Sequence, residues 1–166
     1  MAATVSVDDT TIVSTNQVTR KMVRDVKVPT LLTEGTKLPV YGTTGAACFD
    51  LQSRIDFSLP ANTPTIIPTG LAMEIPPNMA LLICSRSSLP LKNQVEVANA
   101  PGIIDSDYRG EIGVILVNRG TESYQIRAGD RIAQGLMMKI PKFRLIQVTE
   151  LAPTVRGGGG YGSTGK

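Results

Sequence analysis

The stretch Asn99-Ala100-Pro101-Gly102-Ile103-Ile104-Asp105-Ser106-Asp107-Tyr108-Arg109-Gly110-Glu111 concentrates carboxylates, a phenol and a guanidinium in thirteen positions. A carboxylate is ionised at neutral pH and can orient a water and take its proton, which makes Asp105 a candidate general base. Pro101-Gly102 punctuates the chain, Ile103 and Ile104 are apolar β-formers, and an apolar run follows from Ile112 to Val117. That pattern reads as a turn feeding a strand, a β-hairpin with Asp105 and Tyr108 at its base. Free backbone N–H and C=O groups at such a tip can read the edge of a nucleobase as another base would. The plain alternative is a solvated Asp/Tyr turn.

Other segments carry complementary chemistry. Asp50 is the one carboxylate in Ala46-Ala47-Cys48-Phe49-Asp50-Leu51; half-buried, it would need a cation, an Arg or a metal-held water, and otherwise it is an edge-strand Asp facing water. Ser85-Arg86-Ser87-Ser88-Leu89 follows an apolar run directly, so a guanidinium fork and hydroxyls emerge where a strand ends, a set suited to phosphate oxygens. In Gly129-Asp130-Arg131-Ile132-Ala133-Gln134 the Gln amide could donate to phosphate, while Asp130 and Arg131 suit holding the turn or an interface. The C-terminal Arg156-Gly157-Gly158-Gly159-Gly160-Tyr161-Gly162-Ser163-Thr164-Gly165 could wrap a polyphosphate with N–H groups and hydroxyls, Tyr161 offering a face for a base. It lacks the Gly-Lys-Ser/Thr of a Walker A loop, and the plain alternative is a flexible glycine-rich tail. The chain has no His, so acid–base work falls to carboxylates, Lys, Tyr or Cys.

These residues need a scaffold, and the rest of the chain describes one. Its 166 residues, 42% hydrophobic and 19% charged, suit a single domain with a real core. Aromatics make up 4% and Trp is absent, so that core is aliphatic. Short apolar runs at 46–51, 65–67, 71–75, 79–84, 95–98, 112–117, 124–126, 132–140 and 143–148 alternate with turn residues. Prolines fall between or at the ends of the runs, where a missing N–H breaks no ladder. An all-β, jelly-roll-like distorted barrel follows, with at most a short turn of helix. Residues 23–28 form a candidate first strand stopped by Pro29. We divide the chain into an extension over 1–22, a β domain over 23–152 and a glycine-rich arm over 153–166.

Net charge is +3 with a pI near 9.0, which suits an anionic ligand; without a Lys/Arg cluster no direct nucleic-acid binding is expected. Arg20, Lys21 and Arg24 form a small basic group too short to change that. Cys48 and Cys84 lack metal-ligand spacing, no apolar run reaches membrane-spanning length, and no signal peptide is evident. A cytoplasmic setting is expected, or a nuclear one, or the host cytoplasm for a viral protein.

Taken together and in order, residues 46–53, 85–89, 99–109, 129–134 and 156–165 resemble the five motifs of the trimeric deoxyuridine triphosphatases (dUTPases), a likeness that runs from about residue 37 to residue 165. The resemblance implies hydrolysis of dUTP to dUMP and pyrophosphate with Mg2+, limiting uracil in DNA and supplying dUMP for dTMP synthesis. It implies that Asp105 holds the water attacking the α-phosphorus and that Tyr108 packs on deoxyribose, excluding a 2′-hydroxyl. Asn99, with Gly102 and Ile104 in the same segment, would pair with uracil and leave no room for a thymine methyl. Asp50 would hold magnesium through water, and Arg86, Ser87, Ser88 and Gln134 would bind phosphate. Arg156, Tyr161, Gly162, Ser163 and Thr164 would form the closing arm. The family assembles as a homotrimer with a swapped C-terminal arm and sites at subunit junctions. Cys48 stands where the family usually has Gly, and Tyr161 where Phe is commoner. A dCTP deaminase-like enzyme, or a nucleotide-binding regulatory protein on the same fold, is the alternative; the glycine-rich arm speaks against the deaminase.

Overall fold

The computed structural model describes residues 26–160. Among them are eleven strands and one helix: β1 (Thr30–Leu32), β2 (Phe49–Gln52), β3 (Phe57–Leu59), β4 (Thr65–Pro68), β5 (Leu71–Met73), β6 (Met79–Cys84), α1 (Ser88–Asn93), β7 (Val95–Val97), β8 (Gly102–Ile104), β9 (Gly113–Asn118), β10 (Tyr124–Ile126) and β11 (Arg131–Lys139). They form four antiparallel sheets ordered β2-β11-β6-β8, β4-β9-β7, β1-β5 and β10-β3. This is the all-β, jelly-roll-like architecture expected.

The sheets meet over an aliphatic core in which Leu51, Leu59, Ile67, Leu81, Leu116 and Ile126 are among the fully buried side chains. Each contributes about 1.5–3 kcal/mol by leaving water. Period-2 alternation explains which residues turn inward. Along β2, Phe49 and Leu51 are buried while Asp50 and Gln52 are not, and β9 likewise buries Val114 and Leu116. Gly135 sits centrally in β11, where a Cβ would lie 2.6 Å from the Phe49 ring and 2.9 Å from Leu81 Cδ1. The close approach of β2 and β6 side chains over the strand between them requires glycine there. Asn118, 1% exposed, is the polar exception in the core. Its Nδ2 donates to the carbonyls of Leu59 (3.3 Å) and Glu122 (2.7 Å), and its Oδ1 accepts the Gly120 N–H (2.9 Å).

Several expectations change. The first strand forms at Thr30–Leu32, after Pro29 rather than before it, pairing Thr30 with Met73 and Leu32 with Leu71; residues 26–28 are irregular and 23–25 lie outside the described residues. Phe57–Leu59 is a strand that three residues among polar neighbours did not announce. Pro90 lies inside α1, in its first turn, where its missing N–H would have had no helical partner. Residues 143–148 form no strand, with Phe143 81% and Leu145 93% exposed. The hairpin over 99–111 is also corrected: β8 pairs with β6 and β9 pairs with β4 and β7, so the segment crosses between two sheets. The extension 1–22 lies outside the described residues.

Candidate active site

Three adjacent strands assemble one half of the chemistry. Gln134 on β11 is the register partner of Asp50 on β2 and of Cys84 at the end of β6. The segment 85–88 leaves β6 beside that row, so residues distant in sequence meet because the strands are neighbours. Arg86 Nε lies 2.9 Å from Asp50 Oδ1, and Arg131 Nη1 lies 3.2 Å from Asp50 Oδ2. Arg86 Nη1 also donates to the Arg131 carbonyl at 3.1 Å. The carboxylate thus holds the Arg86 fork in place, an alignment an exposed Arg side chain would not keep unaided. Gln134 Nε2 donates to the Ser85 carbonyl at 2.9 Å, and Ser85 Oγ accepts the Val97 N–H at 2.9 Å. Ser87 precedes α1 without a side-chain capping bond, which leaves its hydroxyl available, and Ser88 is the first residue of the helix.

Cys48 adopts no positive φ, so the residue preceding Phe49 and Asp50 imposes no left-handed strain. Burial pushes the Cys48 thiol above its ordinary value and nearby Cys84 adds to the shift.

The other half lies around β8. Asp105 and Tyr108 line a cleft of about 420 Å³ with Ile66, Ile103, Ile104 and Ile115. The turn after β8 closes with Tyr108 N–H donating to the Asp105 carbonyl at 3.2 Å, so acid and phenol share one turn. β8 is the edge strand of its sheet, and half of its backbone N–H and C=O groups therefore face away from β6, free for a ligand. At Gly102 an added Cβ would lie 3.2 Å from Asn99 Nδ2; the missing side chain is what lets the Asn99 amide approach the start of β8.

The two halves do not meet within one chain. The ladder pairs Ile104 with Leu81, so Asp105 continues toward Ala80, whereas Arg86 lies beyond the far end of β6. Ala80 and Arg86 are six positions apart, about 20 Å at an extended rise of about 3.3 Å per residue. Residues 141–160 make their described hydrogen bonds within the segment itself, Arg156 Nε donating to the Gly159 carbonyl at 2.7 Å. Arg156 therefore meets neither half, and Tyr161, Gly162, Ser163 and Thr164 lie outside the described residues.

Sequence reasoning missed the roles of Arg131, as the second cation on Asp50, and of Glu111 and Arg54, an ion pair of 3.2 Å bordering the Asp105 cleft. No spacing links residues 54 and 111; only the fold does. Asp130 holds its turn as expected, its Oδ2 accepting the Arg127 N–H at 2.8 Å.

Among the described residues no three Cys, Asp or Glu side chains gather to hold a metal ion. Magnesium keeps most of its waters and is usually carried on substrate phosphates, asking the protein for one or two carboxylates. Asp50, part-exposed beside Arg86 and Gln134, fits that lighter demand.

The strands thus gather an acid–phenol cleft and a separate Arg–Asp–Gln–Ser cluster. The family model for dUTPase matches residues 34–165. The deoxyuridine 5′-triphosphate nucleotidohydrolase of Caulobacter vibrioides is 45% identical over 136 residues, 77% of this chain and 85% of that protein. Among solved structures, a point variant of the Staphylococcus bacteriophage 80alpha dUTPase with dUpNHpp superposes with a TM-score of 0.79 at 25% identity, covering 84% of this chain and 99% of that one. A point variant of the dUTPase of phage phi11 of S. aureus, described for its coordination of a structural Mg(II) ion, superposes at 0.69 and 25% identity, covering 75% and 98%. The chain belongs to the dUTPase family. No helix among the described residues is long and apolar enough to cross a membrane.

Proposed function

We propose that this protein hydrolyses dUTP to dUMP and pyrophosphate at a site completed between chains. Family membership gives the reaction, and the observation that carries the division of labour is the register that sets Asp105 toward Ala80, six positions before Arg86, about 20 Å at about 3.3 Å each. A nucleotide cannot engage both groups of one chain at one α-phosphate. A second copy that brings its Arg86 cluster to the Asp105 cleft resolves this, and the exposed arm supplies the cover. A homotrimer with a swapped arm satisfies both needs.

In this arrangement Asp105 orients a water on the α-phosphorus and takes its proton as the oxygen–phosphorus bond forms; the bond to the β-phosphate bridging oxygen breaks and pyrophosphate leaves. Arg86, held by Asp50, aligns on phosphate oxygens with Ser87, Ser88 and Gln134 beside it. When bound near Asp50 through water, magnesium supplies further neutralisation of phosphate charge. Tyr108 walls the deoxyribose, and Asn99, Gly102 and Ile104 present backbone and amide groups to uracil. Arg156, Tyr161, Gly162, Ser163 and Thr164 close the pocket, ordering that costs about 1 kcal/mol or more per residue and so happens on ligand. The cofactor is Mg2+ and the partners are dUTP and two further copies of the chain. The family match favours this over the deaminase-like alternative.

Pyrophosphate release from dUTP, with dCTP as the control, tests the reading. Hydrogen bonds built for the N3–H and carbonyls of uracil leave buried groups unpaired with cytosine, so kcat/KM should fall by about 10⁴ or more. Comparable turnover of the two nucleotides, or ammonia from dCTP, would reject it.

A further inference from the structure

Glu111 lines the Asp105 cleft, yet its carboxylate is already committed to the protein. Oε1 accepts the Gly70 backbone N–H at 2.7 Å and Arg54 Nε at 3.2 Å. The next residue, Ile112, donates its N–H to the Leu71 carbonyl at 2.7 Å, and its own carbonyl accepts the Thr69 hydroxyl at 2.6 Å. Residues 111 and 112 are thereby tied to the turn between β4 and β5. That turn has little room to shift: Gly70 is buried at φ +73°, and an added Cβ would lie 2.2 Å from Thr36 Cγ2 and 2.9 Å from Arg54 Cδ.

The backbone carbonyl of this anchored residue accepts the Tyr108 hydroxyl at 3.0 Å. The ring also lies directly over Gly110, where a Cβ would fall 2.4 Å from the phenol oxygen and 2.6 Å from Cζ. Tyr108 is 44% exposed, so packing alone holds it loosely and the hydroxyl tether fixes how far the ring stands into the cleft. We infer that Glu111, braced by Arg54, is a positioning residue that sets the Tyr108 ring and through it the discrimination of 2′-deoxyribose from ribose. This rests on Tyr108 being the sugar wall. A single hydroxyl is excluded only by a ring held to a fraction of an ångström, and misplacement by about 1 Å can cost about 10²-fold.

The test measures kcat and KM for dUTP and UTP with Glu111→Ala, Glu111→Gln, Tyr108→Phe, Tyr108→Ala and the double variant Tyr108→Phe/Glu111→Ala, alongside Tm. Glu111→Ala and Tyr108→Phe should each lower the dUTP/UTP ratio of kcat/KM by about tenfold or more, chiefly by improving UTP. The double variant should be no worse than either single one, because both cut the same tether. Glu111→Gln keeps an oxygen for the Gly70 N–H and should restore most of the ratio. Should Glu111→Ala fail to fold, Tyr108→Phe breaks the same bond from its other end. A wild-type ratio in Tyr108→Phe, a lowered Tm with unchanged ratio in Glu111→Ala, additive losses in the double variant, or no rescue by Gln would each overturn the inference. An unchanged ratio in Tyr108→Ala would instead remove Tyr108 as the sugar wall, and the inference with it.

Discussion

The role proposed for Asp105 rests on its place in a turn that lines, with Tyr108, a cleft of aliphatic side chains. Water held between that carboxylate and a phosphate is oriented by an acceptor that can also take its proton. Asparagine keeps the shape and loses the proton acceptor. Asp105→Asn should therefore bind dUTP nearly as well while kcat falls by about 10²–10⁴, measured by titration calorimetry and by pyrophosphate release. A near-normal kcat would take Asp105 out of the reaction. Asp50 makes a complementary point at the same scale. A lone acid in an apolar strand announced its need for a partner, and the fold brings two guanidinium groups to it, from β11 and from beyond β6.

Among the elements, β11 is the organiser, because it lies between β2 and β6 and so places Gln134 between Asp50 and Cys84. Its apolar run was visible, as were β6 and β10 with their full bounds. What the run could not express was pairing: an alternating pattern says which face is buried and not which strand lies alongside. The segment 99–111 shows the cost of that silence, since a turn before an apolar run resembles a hairpin even when its flanks join different sheets. The same limit hid Phe57–Leu59, whose ladder to β10 lies far along the chain. Asn118 at the end of β9 offers a test of how the small β10-β3 sheet is attached. Asn118→Ala removes three hydrogen bonds at a buried position, and a loss of about 2–4 kcal/mol is expected as a lower urea midpoint with unchanged m-value. A loss below about 0.5 kcal/mol, the range of ordinary surface changes, would show that the network is dispensable.

At the scale of the molecule, two dead variants should rescue each other. Asp105→Asn supplies an intact arm, and a chain truncated before Arg156 supplies an intact acid. After co-refolding in equal amounts, about one half times one half, roughly a quarter, of pockets draw each part from the competent chain if the Asp105 segment and the arm come from different copies. Activity should return to about that fraction, while mixing without unfolding should leave it low at first. A dead sample whose trimers are shown to be mixed would refute the shared site. The separation of the two chemical halves along β6 also changes what concentration means for this protein. An enzyme whose site lies in one chain loses rate in simple proportion when diluted, but with the proposed site shared between copies dilution would dismantle the site itself. Initial rate against enzyme concentration should be linear when concentrated and steeper than linear once assemblies come apart, a log–log slope above one. Under the proposed assembly catalysis would report on the abundance of the protein as well as of its substrate, switching on only where enough copies have found one another.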